Sequence, residues 1–229
     1  MTFNIGFLLF PNITQLDMTG PYEVFTKLPE AKVHLVWKSR EPVTADGGMQ
    51  IVPTTTFADC PQLDLICVPG GAGINPLLND PETLKFVRRQ AKGARFVTSV
   101  CSGALVLGAA GLLAGKRATT HWMSREMLPR LGALSVAERV VVDGNVITGG
   151  GVTAGIDFAL TVAAEAFGED IAKSIQLGME YDPHPPFDAG SPDRAGPDLV
   201  AKARSDAARR QAERQSAVDA AAAALRQAR

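Results

Sequence analysis

Cysteine is scarce in this chain: Cys60, Cys67 and Cys101 are the only three among 229 residues. Three thiols in a chain of this length make no disulfide framework, and none has the C-x-x-C spacing of a metal or redox pair. Long hydrophobic runs are also missing, since no stretch reaches the roughly 20 apolar residues of a membrane span. Neither sign of charge dominates, with 23 Lys+Arg against 24 Asp+Glu. Such a balance gives no field that would steer the protein to a nucleic-acid backbone or an anionic lipid surface. The opening Met1-Thr2-Phe3-Asn4-Ile5-Gly6 has no basic n-region or cleavage site, so no secretory signal is expected there. What is present is a 46% apolar, 21% charged chain, too apolar for disorder and long enough to bury one full core. A cytoplasmic protein without metal or cofactor, acting on neither nucleic acid nor membrane, is the expectation.

Apolar runs of strand length alternate with helical patterns. Strands are expected at 5–10, 33–37, 50–52, 63–68, 96–100 and 117–120. A further pair, 138–142 and 145–148, flanks Asp143-Gly144, a strong hairpin signal. Helices are expected at 15–28, with Gly20-Pro21 as an interruption, and at 81–92, where Pro81 suits the first turn. Others follow at 103–113, about 123–131, and 154–167. This alternation implies a mostly parallel α/β sheet with helices on both faces, and ligands in such sheets bind at the carboxyl ends of the strands. Residues 1–181 form that domain. Residues 182–197, dense in Pro, Gly and Asp, read as a linker. Residues 198–229, rich in Ala, Arg and Gln, favour helix but hold too few large apolar residues for a core of their own. A peripheral helix, packed on the body or on a partner subunit, is expected there. Asp206, Glu213 and Asp219 dilute any reading of this tail as a basic arm for nucleic acid.

The segment Phe96-Val97-Thr98-Ser99-Val100-Cys101-Ser102-Gly103-Ala104 carries the most chemistry. A buried strand runs straight into Cys101 and small residues precede a helix, the layout of a nucleophile elbow with Cys in place of Ser. A sharp turn would lift the sulfur above the sheet edge and set it at a helix N-terminus, where the dipole favours thiolate. A small buried core cysteine is the plainer alternative, and it fits Cys67, in the middle of Leu65-Ile66-Cys67-Val68, far better. Two glycine clusters end strands at the same edge. Pro69-Gly70-Gly71-Ala72-Gly73 could aim N–H groups at negative charge on a bound intermediate, and Gly149-Gly150-Gly151, with Val152 beyond it, could line the opposite wall. No Gly-Lys-Ser/Thr follows either cluster, which excludes a Walker loop.

Several of these segments together resemble the DJ-1/PfpI superfamily: Val68-Pro69-Gly70-Gly71, Val100-Cys101-Ser102-Gly103-Ala104, Thr119-Thr120-His121, and Asp143 through Gly150. Within it the chain is similar to the bacterial isocyanide hydratases, on Ile5 through Pro11, Gln15-Leu16-Asp17-Met18-Thr19-Gly20-Pro21, Thr120-His121-Trp122, Gly155 through Leu160, and Pro185 through Pro192. The resemblance implies a flavodoxin-like sandwich working as a homodimer, a nucleophile at Cys101 and a carboxylate at Asp17. The hydratases usually carry Thr where this chain has Ser102, so a roomier or more mobile site that keeps its hydroxyl is expected. Gly71, Ala72, Ser102, Gly150 and Val152 are the expected substrate-binding residues.

The implied chemistry is attack of the Cys101 thiolate on an isocyanide carbon with proton delivery, giving a thioimidate that water opens to an N-formamide. Asp17 would give a proton first and take one from water later, if burial and a neighbouring thiolate raise its pKa from near 3.9. A helix N-cap is the competing role for Asp17. Two rival readings stand beside this one. A glyoxalase or deglycase would pair Cys101 with His121 or Glu23. A non-enzymatic sensor would only need an accessible, oxidisable Cys101. His121 has no orienting partner evident in the sequence, and Ser102 could bond Asp17, bond the intermediate, or start a helix.

Overall fold

The computed structural model describes residues 2–227, so Met1 and the last two residues of the predicted tail helix lie outside the described residues. Apolar residues occupy both faces of the central strands: β1 (Phe3–Leu8), β6 (Leu65–Val68), β7 (Phe96–Val100) and β11 (Val146–Gly149) are almost wholly buried. Strands apolar on both faces need helices on both sides. Together with β2 (Ala31–Trp37), β5 (Thr55–Thr56) and β10 (Val140–Asp143) they form one seven-stranded sheet in the order β10-β11-β7-β6-β1-β2-β5. Every pairing is parallel except that of β10 with β11. That pair is the expected hairpin, with Gly144 at φ +63° in its turn. Two small ladders lie outside the sheet, β3 (Val43–Thr44) with β4 (Gln50–Ile51), and β8 (Arg117–Ala118) with β9 (Leu134–Ser135).

The helices fall into two layers. One holds α1 (Gln15–Phe25), α5 (Ala154–Phe167) and α6 (Glu169–Gly178), which pack on each other. The other holds α2 (Ile74–Leu77), α3 (Pro81–Gly93), α4 (Gly103–Ala109), a 3-10 helix at Trp122–Leu131, and the long α8 (Pro197–Gln227). A single turn, α7 (Pro192–Ala195), precedes α8.

Three expectations need correcting. The helix from Gln15 is not interrupted at Gly20-Pro21: Pro21 lies inside α1, at the loss of the N–H that would bond the Asp17 carbonyl. Close packing on α5 compensates, because Gly20 lies against Ile156 and Gly155 against the Pro21 ring. The helix after Cys101 stops at Ala109 rather than Leu113, with Gly111 at φ +79° just beyond. The segment near 123–131 is a 3-10 helix containing Pro129. Helix α6 was not foreseen at all.

The tail helix α8 packs on α2, α4 and the 3-10 helix. Its inner face is made of small residues, with Ala207, Ala221 and Ala222 buried beside Val218 and, unexpectedly, Arg214. Small side chains let the helix axis approach closely, which replaces large apolar residues as the means of docking.

The turn from β7 into α4 is equally tight. A methyl group on Gly103 would overlap the Val68 carbonyl oxygen, which is backbone and cannot swing aside. Gly103→Ala is expected to lower unfolding free energy by about 3 kcal/mol or more, checked by urea denaturation; a loss below about 1 kcal/mol would contradict this packing.

Candidate active site

The strand β7 ends in Cys101, whose backbone sits in the left-handed region at φ +56°. The Cys101 N–H donates to the Gly149 carbonyl at 3.1 Å and to the Gly150 carbonyl at 2.8 Å, and its own carbonyl accepts from Thr120 Oγ1 at 2.6 Å. These bonds hold the elbow that the sequence predicts. The sulfur lies at the start of α4, where the Ser102 N–H points to it.

Asp17, in the first turn of α1, is fully buried and within hydrogen-bonding reach of the Cys101 thiol. Its Oδ2 accepts from the Gly70 N–H at 2.9 Å, while Oδ1 has no nitrogen or oxygen partner among the described residues. Gly70 must be glycine here, because a Cβ would stand 2.8 Å from Asp17 Oδ2 and 2.6 Å from the Ser102 nitrogen. Asp17 therefore caps no helix; it sits beneath the sulfur.

Above the sulfur opens a cavity of about 270 Å³. Gly71, Ala72, Ser102 and Val152 line it, with His121, Met123, Thr14 and Asp46 around them. Residues from α8 complete it: Arg210, Gln211 and Arg214.

Residues 4–165 match the sequence profile of the DJ-1/PfpI family. The chain belongs to the DJ-1/PfpI family. It is 62% identical over 208 residues to the isonitrile hydratase of Pseudomonas putida, 91% of each chain. It is 30% identical over 139 residues to a glutathione-independent glyoxalase of Caenorhabditis elegans, 60% of this chain and 74% of that one. A ThiJ/PfpI family protein from Pseudomonas syringae has a crystal structure that superposes with a TM-score of 0.90 at 45% identity, covering 97% of this chain and 91% of the other.

Within this DJ-1/PfpI frame the electrostatics depart from expectation at the sulfur. The thiol is pushed well above the ordinary thiol range, first by burial and then by the charge of Asp17, to which it donates. The Ser102 N–H and the Arg214 charge oppose this without reversing it. The expectation of a standing thiolate is thus corrected: burial and a carboxylate neighbour outweigh the helix dipole. Asp17 is raised from 3.8 to about 7, chiefly by burial. The thiol hydrogen bond lowers it, opposite to the thiolate effect anticipated.

The glycine loop differs from expectation too. The Gly70 and Gly71 N–H groups are committed to Asp17 and to Ser102 Oγ, the latter at 3.1 Å, so neither is free for an anion. Ser102 Oγ ties the glycine loop to α4 and neither caps the helix nor bonds Asp17. Gly150 does not line the cavity over Cys101. Its N–H donates to the Arg139 carbonyl and its carbonyl holds the Cys101 N–H, so it positions the elbow from behind.

The residues of the rival readings fare less well. Glu23 is exposed and paired with Lys27 at 2.7 Å, away from the cavity. His121 does line the cavity, but its Nδ1 accepts from the Met123 N–H and caps the 3-10 helix. Its pKa is lowered to about 4, by burial and then by the charges of Arg214 and Arg210. It is neutral at physiological pH. His34 pairs with Asn4 far from the site, and His184 is exposed. Among the described residues no cluster of three His, Cys, Asp or Glu could hold a metal, and no helix is long and apolar enough to cross a membrane.

Sequence reasoning missed Arg214. Its signal was present: Ala207, Gln211, Arg214, Val218 and Ala221 recur in alternating steps of four and three, one face of a helix. Only Arg214 on that stripe is charged.

An Asp17 raised to about 7 binds a proton in the folded state that the unfolded chain releases near 3.8. The contribution of Asp17 to stability is therefore fully present below 3.8 and is lost as pH rises to about 7, an amount on the order of 4 kcal/mol. Asp17→Asn should raise the melting temperature, and the advantage should widen between pH 5.5 and pH 8, as read by calorimetry. A gap that stays constant or narrows would contradict the assigned shift.

Proposed function

We propose that this protein hydrates isocyanides to N-formamides, with Cys101 as nucleophile and Asp17 as the proton carrier. The observation that carries this reading is the buried Cys101–Asp17 pair at the floor of a small cavity, in a chain sharing most of its length with an isonitrile hydratase. Isonitrile and isocyanide name the same group. Such a protein would act on a small molecule, and we propose that it works as a cytoplasmic homodimer.

An isocyanide carbon carries a lone pair and accepts a nucleophile, so addition must deliver a proton to that same carbon. Asp17, ionised above about pH 7, takes the Cys101 proton as sulfur attacks, then returns it to the carbon. The C–S bond forms, one C–N π bond is used up, and the product is a thioimidate, R–N=CH–S–Cys101. Water then adds to this carbon, and the proton it loses passes through Asp17 to the nitrogen. As the adduct collapses, Asp17 takes the proton of the new hydroxyl, the C–S bond breaks, Asp17 hands that proton to sulfur, and the N-formamide leaves. The sum is isocyanide plus water, with the thiol and carboxylate restored.

Thiol with carboxylate and thiolate with carboxylic acid hold the same number of protons. The pair therefore enters its reactive state in one step, whichever group is charged. A permanently ionised cysteine is unnecessary; the resting thiol needs only a base beside it.

Purified protein given an alkyl or aryl isocyanide should release the N-formamide, measured by chromatography. Cys101→Ala should abolish release, and Asp17→Asn should slow it about 100-fold or more. kcat/KM should fall tenfold for each pH unit below about 7, because protonated Asp17 cannot take the thiol proton. Absence of formamide at every pH would sink this reading. Lactate formed from methylglyoxal, lost in His121→Gln, would replace it with the glyoxalase alternative.

A further inference from the structure

Arg214 is an unusual residue to find where it is. Its side chain is 4% exposed, and arginine is rarely buried so deeply without a carboxylate partner. Nε donates to Asn75 Oδ1 at 3.0 Å, Nη1 to Ser124 Oγ at 3.1 Å, and Nη2 to the Gly71 carbonyl at 2.9 Å. All three acceptors are neutral, and Arg214 makes no ion pair among the described residues. Asn75 comes from α2, Ser124 from the 3-10 helix and Gly71 from the glycine loop, so the guanidinium is fixed from three directions. It faces the same cavity as Cys101.

A buried guanidinium held only by neutral groups gives up hydration that nothing fully replaces, and a methionine or leucine would dock the small-residue face of α8 without that cost. The charge is retained at the cavity of Cys101, which needs a counter-charge when it ionises. We propose that Arg214 is a positioning residue for the reaction: its fixed positive charge lets the Cys101–Asp17 pair carry a negative charge near neutral pH, which makes the C-terminal helix part of the active site. This rests on the hydratase reading for its purpose but not for its test. The other charged or titratable groups around the pair are Asp46, whose charge opposes a negative pair, Cys67, whose buried thiol is pushed up to about 12 and carries no charge, and Arg210 and His121. Arg210 is exposed on α8 and therefore screened by water, while His121 is neutral. Arg214 is the one buried positive charge in this group. The mutual effect of Arg214 and Cys101 has the sign this role requires, each favouring the charged form of the other.

The test reads the sulfur directly. Iodoacetamide alkylation of Cys101 is followed by peptide mass spectrometry from pH 5 to pH 9, which keeps Cys60 and Cys67 out of the signal. In the unaltered protein the rate should climb through the first ionisation of the pair, around pH 7. Arg214→Gln should move that midpoint up by about one pH unit or more, slowing alkylation roughly tenfold at pH 6, and Arg214→Lys should restore most of it. Should Arg214→Gln fail to fold, Asn75→Asp decides: it keeps the guanidinium and its anchor but sets a carboxylate on Nε, so it should also move the midpoint upward. An unmoved midpoint in Asn75→Asp, or in folded Arg214→Gln, overturns the proposal. Shifted midpoints in a protein that forms no formamide would uphold the proposal and reject the hydratase reading.

Discussion

A non-glycine residue held in the left-handed region costs on the order of 1–3 kcal/mol, and at Cys101 the surrounding hydrogen bonds offset that cost. Its N–H is shared between the carbonyls of Gly149 and Gly150, and its carbonyl receives the Thr120 hydroxyl. Those partners are in place because β11 lies beside β7 with Gly149 opposite Val100. A slip of one residue in that register would move the carbonyls off the N–H and relax the turn. The aim of the sulfur is thus a property of the sheet, and the glycines around it follow from the same requirement. Gly103 lets α4 start against the Val68 carbonyl, and Gly70 leaves room for Asp17 and Ser102 at once.

The second constraint is charge without water. Asp17 is wholly buried and Arg214 nearly so, yet they form no ion pair with each other. The Gly71 residue joins them indirectly: its carbonyl binds Arg214, its N–H binds Ser102 Oγ, and its neighbour Gly70 binds Asp17. A direct salt bridge would hold Asp17 ionised and far too weak a base to exchange protons with sulfur. Separation by one peptide unit leaves the carboxyl near neutrality while the guanidinium still acts on the sulfur through a medium of low dielectric.

What the sequence revealed followed the distance over which each feature is encoded. The elbow at Cys101 was legible because strand, cysteine and small residues are contiguous, and the hairpin at Asp143-Gly144 for the same reason. Asp17 was reachable only through resemblance: nothing near it in the chain says that α1 will bury its first turn under the end of β7. The glycine loop was placed correctly but its chemistry was not, since whether an N–H is free depends on which side chains arrive from α1 and α4. The uninterrupted α1 was misjudged because Pro21 is read locally as a break, whereas α5 packs against it. The sequence places the tail helix on the body or on a partner subunit, and α8 packs on the body, but through small residues. Docking through alanines escapes a reading that looks for bulk, and Arg214 was hidden with it.

One electrostatic field accounts for which group near the sulfur can move protons. The positive charges of Arg214 and Arg210 stabilise anions and penalise any further cation in the cavity. Burial first, and then these charges, push His121 down to about 4, where its imidazole cannot hold a proton at neutral pH. A base of that strength would leave nearly all of a high thiol pKa uncompensated. Burial moves Asp17 the other way, to about 7, because for an acid the charged form is the anion and desolvation disfavours it. The same burial therefore weakens the histidine as a base and strengthens the aspartate. Chemistry that needed an imidazolium to stabilise a thiolate would find this cavity hostile. Chemistry that passes a single proton between sulfur, carbon and water through a buried carboxyl finds both the proton affinity and the counter-charge it requires.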